Sequence, residues 1–231
     1  MNRIFSDEEL KDMSARTADL LTEAIEAGDK ERAKRLASRM YREFSFMHDL
    51  YVDWSGKFMD HIYTNYGEEA LYQALRQVTT PTTRQLTDDM TKNVMNPDFR
   101  LRVEGLAGIL RGHLQPIKVN EDDEKVCITM EPCGSGQRLL ESGAYEPPCN
   151  LTMMQKPHPM TWGMTDFPIY CTHEPVLDIL SIEGLGYPSV VVLPPEKVAR
   201  RESCKFCLYK NVEDIPEEVY TRVGKQKPRD V

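Results

Sequence analysis

The first group of residues that could carry chemistry lies in segment 130–138, which contains Pro-Cys-Gly-Ser-Gly. A predicted strand ends here and continues into a glycine-containing turn, so we expect the thiol of Cys133 to be accessible. Helix amides and Arg138 would favour its reactive thiolate form and would hold an anion. The segment therefore predicts Cys133 as a nucleophile or metal ligand, with Gly134, Ser135 and Arg138 binding substrate. The alternative is a tight turn in which the cysteine only fills space.

Two close pairs of soft ligands form the second group. Cys171 and His173 are two residues apart, and Cys204 and Cys207 are three residues apart. Two chelating pairs that folding brings together are a common way to build a tetrahedral zinc site. The pattern predicts these four residues as ligands of zinc, or of iron if acids contribute. In a strand, however, the second pair would point to opposite faces, and the alternative is one buried and one exposed cysteine without a metal.

A third group lies on a long predicted helix, where His48 is followed by Asp49. A histidine beside a carboxylate can act as a general base. We therefore predict His48 as the base for Cys133, with Asp49 orienting its ring. The alternative is a histidine at the edge of the core beside a solvated acidic face.

Two further residues complete the candidate list. Trp162 stands in a proline-rich stretch and is predicted to form a pocket wall or a core plug, and we count it among the substrate-binding residues. His113 is predicted to be an ordinary surface histidine.

The first part of the chain is predicted to be helical. Ser6 and Glu9 have the spacing of a capping box, which predicts a helix from there to about Ala27. A much longer helix should follow and end at Gly67, because apolar residues recur in it at steps of three, four or seven. This stripe consists of Leu36, Met40, Phe44, Met47, Tyr51, Phe58 and Ile62. We expect its part from Leu36 to Tyr51 to pack against the C-terminal half.

Two more helices fill the chain up to residue 115. A short amphipathic helix starts at Glu68 and is predicted to end before Pro81, because proline disfavours a helical residue before itself. Another should run from about Pro97 to Gly112. The sequence thus predicts a helical region over 1–115, followed by an α/β region over 116–231 that carries the Cys/His site.

Strand-forming residues appear only in the second region. Segments 125–130, 189–193 and 204–209 are rich in β-branched and aromatic residues. Many prolines separate them, so long specific loops are expected between the strands. We therefore predict an α+β fold, with a helical N-terminal half packed on a small, mainly antiparallel sheet with long loops.

Charge and composition restrict the partners. The 29 Lys and Arg residues are outnumbered by 37 Asp and Glu residues, and the basic residues are scattered. Nucleic-acid binding is not expected, because neutralising phosphates needs a basic surface. No apolar run approaches a membrane span, and no export signal is apparent, so a cytoplasmic protein is expected. The six cysteines would then be buried, catalytic or metal-bound rather than paired.

With these residues in view, the chain resembles a broad group that includes 2-amino-thiazoline-4-carboxylate hydrolase-like proteins and 4-vinyl-reductase-like sensor domains. The likeness covers the Tyr-Gly-Glu-Glu-Ala-Leu segment at 66–71, Cys133 near a strand end, and the stretch from 186–188 to 204–206. The resemblance implies an α+β fold with a small antiparallel sheet. It also implies cysteines beside a buried small-molecule cavity, sometimes with zinc.

Two classes of function follow from these observations. The first is a small-molecule hydrolase or lyase that acts on a carbon–nitrogen or carbon–sulfur bond, using Cys133 or a Cys/His-bound metal. The second is a non-catalytic, sensor-like protein that binds a small ligand and holds zinc for structure. A third interpretation, an assembly partner or homo-oligomer, would require a large exposed apolar face on the helical half.

Overall fold

The computed structural model describes residues 4–86, 97–198 and 202–228, with only the backbone described for 80–86. Contacts divide the chain into two compact units, Met1–Tyr51 and Val52–Val231. The change from helix to strand lies further along the chain, between residues 111 and 117.

Three helices begin in the first unit: α1 (Asp7–Ser14), α2 (Thr17–Glu26) and α3 (Lys30–Tyr66). The capping box at the start of α1 is confirmed, since Ser6 and Glu9 exchange side-chain to backbone hydrogen bonds. The prediction of one unbroken helix to Ala27 is wrong, because Ala15 leaves the helix in an extended conformation. The small core of this unit consists of Leu20, Ala24 and Leu36.

The apolar stripe of α3 is only partly buried. Leu36 is buried, but with Leu20 and Ala24 of the first unit, and the prediction that the stripe from Leu36 to Tyr51 packs against the C-terminal half is wrong. Met40, Phe44, Met47 and Tyr51 keep between 41% and 56% of their surface exposed. The helix itself ends as predicted, at Gly67, whose positive φ of 87° suits a residue without a side chain.

The second unit contains five further helices within the described residues: α4 (Glu68–Leu86), α5 (Phe99–Arg111), α6 (Gly136–Glu141), α7 (His173–Leu185) and α8 (Glu217–Thr221). The helix α5 confirms the predicted one, and Asp98 caps its start. The predicted break before Pro81 is wrong, since α4 continues past it. The helix α7 was not predicted from the sequence. None of the helices in the described part of the chain is long and apolar enough to cross a membrane.

The described strands are β1 (Ile117–Glu121), β2 (Lys125–Met130), β3 (Met153–Met154), β4 (Phe167–Pro168), β5 (Val191–Leu193) and β6 (Lys205–Tyr209). Four form an antiparallel sheet in the order β1-β2-β6-β5, and β3 pairs with β4. Along β2, buried and half-buried residues alternate, so one face of the sheet enters the core. The predicted α+β fold with a small antiparallel sheet is confirmed.

A disulfide joins the two central strands. Cys127 on β2 lies opposite Cys207 on β6, and their sulfur atoms are bonded. This corrects two expectations. The cysteines are not all unpaired, and Cys207 has no free thiol with which to bind a metal.

Candidate functional site

A cavity of about 550 Å³ lies within the second unit. Helices α5 and α7 form much of its wall, and β5, β6 and the turn before α6 close it. Most of the lining is apolar, including Leu106, Leu177, Val192 and Phe206. A volume of this size is typical of sites for small organic molecules.

Three free thiols reach this cavity from three separate segments. Cys133 precedes α6, Cys171 precedes α7 and Cys204 precedes β6, and all three line the wall. The sulfur of Cys171 lies close to the backbone at Gly136, where an added Cβ would come within 2.7 Å of it. Gly136 therefore has to be glycine for the first two segments to approach so closely.

Burial keeps two of these thiols protonated. It raises the pKa of Cys171, and the nearby Cys133 and Cys204 raise it further. Burial also raises the pKa of Cys204, with smaller contributions from Glu174 and Cys133. Neutral thiols are soft, weakly polar groups, so these two side chains extend the apolar character of the cavity at neutral pH.

A glutamine fixes the turn that carries Cys133. The backbone N–H of Cys133 donates to Gln137 Oε1 at 3.0 Å, and the hydroxyl of Ser203 donates to the same oxygen at 3.1 Å. One side chain thus connects the Cys133 turn with the segment that leads into Cys204. This explains how two cysteines 71 positions apart in the sequence remain beside one cavity.

His113 packs over the same turn. An added Cβ on Gly134 would lie 2.5 Å from His113 Cβ and 3.1 Å from Gln115 Cγ. His113 is half-buried and lines the cavity, so the prediction of an ordinary surface histidine is wrong. It is the histidine that the structure places beside the Cys133 turn.

A second histidine, His173, stands at the start of α7 with acceptors at both ring nitrogens. Nδ1 lies 2.6 Å from the carbonyl oxygen of Tyr170, and Nε2 lies 3.2 Å from Glu174 Oε1. Burial opposes the charged ring, but the hydrogen bond and charge of Glu174 outweigh it and raise the pKa of His173. The pair therefore places a polar, ionisable group on an otherwise apolar wall.

A buried ion pair lies behind another part of the wall, where Asp178 lines the cavity and Arg222 does not. Asp178 Oδ2 accepts a hydrogen bond from Trp162 Nε1 at 2.8 Å and one from Arg222 Nη2 at 3.1 Å. Arg222 also donates to the carbonyl oxygen of Val192 at 2.6 Å, and its guanidinium lies 5.1 Å from the centre of the Trp162 ring. Burial raises the pKa of Asp178 to about 7, although Arg222 opposes this. These contacts fix the Trp162 ring, so the wall is pre-formed.

The charged groups on the wall are mostly acidic. Glu174, Asp178 and Glu202 line the cavity, whereas no lysine or arginine is found among its described lining residues. Because Asp178 is paired with Arg222, Glu174 and Glu202 are the acids that face a ligand. An anionic ligand would meet repulsion here, while a neutral or cationic one would not.

The structure brings together part of the predicted substrate site. Cys133, Ser135 and Trp162 line the cavity, whereas Gly134 and Arg138 are not among its lining residues. Gly134 contributes instead by allowing His113 to approach.

The predicted base and its orienting acid lie elsewhere in the chain, in the first unit. His48 Nδ1 and Asp49 Oδ1 are 3.1 Å apart, so the expected hydrogen bond between them exists. Neither residue is among those that line the cavity. Their catalytic role stays a prediction.

Three of the four predicted metal ligands, Cys171, His173 and Cys204, line the same cavity. Cys207 is bonded to Cys127 instead. Within the described ranges, no group of three or more His, Cys, Asp or Glu side chains is arranged to hold a metal ion. Zinc or iron at these residues therefore stays a prediction.

Comparison with family models, with curated proteins and with solved structures found no match for this chain.

Proposed function

We propose that the second unit binds a small, largely apolar organic molecule in the cavity between α5 and α7. The main support for this proposal is the cavity itself. It has a volume of about 550 Å³ and is lined by aliphatic side chains, neutral thiols and the Trp162 ring. Hydrophobic burial would supply most of the affinity. Pre-formed walls reduce the entropy that binding must overcome.

The polar groups of the wall define the class of ligand. Glu174 and Glu202 disfavour an anion, and His173 with its neighbours offers one polar contact on an apolar surface. We therefore expect a neutral or cationic molecule with one or two polar atoms. This differs from the anionic substrate that Arg138 suggested in the sequence.

Dye binding tests this proposal directly. Nile red is a neutral, polarity-sensitive dye, and its fluorescence should rise on titration with the protein. The substitution Leu177→Trp would fill the cavity from α7 and is expected to weaken binding at least about tenfold, or about 1.4 kcal/mol. The anionic dye anilinonaphthalene sulfonate should bind the cavity more weakly than Nile red.

A matched variant separates the cavity from exposed apolar surface. Val119 on β1 is 52% exposed and does not line the cavity, so Val119→Trp adds the same ring outside it. This variant should bind Nile red like the wild type. If Leu177→Trp also binds the dye with unchanged affinity, the cavity is not the binding site and the proposal fails.

A second function, thiol-based hydrolysis of an acyl carbon–nitrogen or carbon–sulfur bond, is favoured by one further observation. Cys133 lines the cavity and His113 packs over the adjacent Gly134. The Cys133 sulfur would attack the electrophilic carbon while His113 accepts the thiol proton. The proton would then pass to the leaving nitrogen or sulfur, and water would release the acyl group from the enzyme.

Acyl transfer from p-nitrophenyl acetate tests this second function. The experiment uses a Cys149→Ser background, because Cys149 is an exposed free thiol that would react without any site. Mass spectrometry should find the acetyl group on Cys133, and Cys133→Ala should lose both the adduct and the release of nitrophenol. Equal release by Cys133→Ala would exclude Cys133 as the nucleophile.

A further inference from the structure

The helix α3 presents two apolar faces. One face, with Val52, Gly56 and Met59, is buried. The other carries large apolar residues at steps of four, three, four, three and four, and each keeps between 41% and 67% of its surface exposed. This second face, called the α3 stripe below, consists of Met40, Phe44, Met47, Tyr51, Trp54 and Phe58. It differs from the apolar stripe predicted from the sequence, which included Leu36 and Ile62 but not Trp54.

We propose that two copies of this chain associate through the α3 stripe, with the two helices running antiparallel about a two-fold axis. Alternating steps of three and four place residues along one seam of a helix, as in a coiled coil. A seam of exposed aromatic and methionine side chains marks an interaction surface rather than a solvated face.

The spacing of the stripe fits a copy of itself running in the opposite direction. The step order of four, three, four, three and four reads the same from either end, so a two-fold axis near residue 49 brings every member opposite another member. Phe44 would meet the partner's Trp54, and Met47 would meet the partner's Tyr51. Met40 would meet the partner's Phe58. A two-fold interface needs this kind of self-complementarity.

Charge along α3 selects the antiparallel direction. The part from 30 to 42 has six basic residues and one acid, a net charge of +5. The part from 43 to 66 has four acids and one lysine, a net charge of −3 with its histidines neutral. A parallel pair would align like charges, whereas an antiparallel pair places the basic part against the acidic part.

The area is sufficient for a specific dimer. About half of each of six large side chains, at roughly 200 Å² per side chain, would bury on the order of 600 Å² per copy. The pair would bury roughly 1,200 Å² along a seam about 27 Å long, which reaches the lower bound for specific interfaces. Side chains flanking the stripe would add to this area.

Sedimentation equilibrium of the full chain tests whether it dimerises. A pair of opposite charges introduced into the α3 stripe tests whether the two helices run antiparallel. The wild type should be dimeric at micromolar concentration. Phe44→Glu and Trp54→Lys should each shift the protein toward monomer, because each buries an unpaired charge. The double variant should recover the dimer, since each glutamate then faces the partner's lysine. In a parallel pair, glutamate would face glutamate and recovery would fail.

Phe46→Glu is the matched control. Phe46 lies on the same helix and is 70% exposed, but it is not a member of the stripe. This variant should stay dimeric, and far-UV circular dichroism should show that all variants keep the helix content of the wild type. A monomeric wild type, or a dimer unaffected by Phe44→Glu, overturns the proposal. Loss of the dimer without recovery in the double variant overturns the antiparallel arrangement.

Discussion

Gly134 lies so close to His113 that a side chain at this position should destabilise the fold. Adding a Cβ there with Gly134→Ala would bring two carbon atoms within 2.5 Å, where about 3.5 to 4.0 Å is normal. The opposing atom is His113 Cβ, which is bonded directly to the backbone and cannot rotate away. Over-packing of this kind costs about 1–3 kcal/mol of unfolding free energy, so Gly134→Ala should be destabilising by that amount.

Gly108→Ala is the matched substitution with the opposite expected sign. Gly108 lies inside α5 and is exposed, and an added Cβ would meet no heavy atom within 4 Å. Alanine is favoured over glycine in a helix by about 0.5–1 kcal/mol. Both substitutions restrict the unfolded chain equally. The difference between their unfolding free energies therefore reflects the folded state, including the contact at His113.

Urea unfolding followed by far-UV circular dichroism measures both variants. The protein concentration must be the same throughout, because dimerisation would add to the apparent stability. The unfolding free energies of the two variants should differ by about 1.5–4 kcal/mol, with Gly134→Ala below and Gly108→Ala above the wild type. A Gly134→Ala protein as stable as the wild type would refute the argument, because the turn could then accept a side chain. The Gly134→Ala variant should also bind Nile red more weakly, since the Cys133 turn must move.

Two further results are expected. The raised pKa of His173 means that its pairing with Glu174 stabilises the fold below about pH 6.5, the unperturbed value, and that this contribution is lost as pH rises through the raised pKa. Glu174→Gln should therefore cost more stability at pH 6 than at pH 9 in urea titrations, and an equal cost at both would refute the pairing. The disulfide between Cys127 and Cys207 closes a loop of 80 residues, so replacing both cysteines by alanine should lower the unfolding free energy by about 4.5 kcal/mol on the chain-entropy model. Unchanged stability of that variant would show that the bond does not constrain the unfolded chain.

Local signals in the sequence predicted the parts of the fold that depend on neighbouring residues. The capping box at Ser6 and the strand at Lys125–Met130 follow from hydrogen bonds and alternation within a few residues. The helix α7 was not predicted, because the prolines between the strands indicated loops there. Pro175 stands in the first turn of α7, where a missing N–H costs nothing. The face of α3 was recognised, but periodicity cannot tell what covers an apolar face.

The candidate site was predictable only in part, because it is assembled from distant segments. Residue type and spacing identified Cys133 in one candidate group and Cys171 and Cys204 in another, and the structure places all three on one cavity. The pairing of Cys207 depends on the register between β2 and β6, which no local pattern specifies. The part played by His113 depends on its approach to a glycine about 20 residues away in the sequence.

The strand order has a consequence for how the protein acquires its structure during synthesis. Strands β1 and β2 form one hairpin, and β5 pairs with the neighbouring β6, but the two pairs join only through β2 and β6. That contact spans 80 residues of sequence, so the ribosome must release β6, long after β2, before the sheet can close. Until then the apolar residues of β2 and α5 lack their final partners. This interval is when the growing chain most needs protection from aggregation.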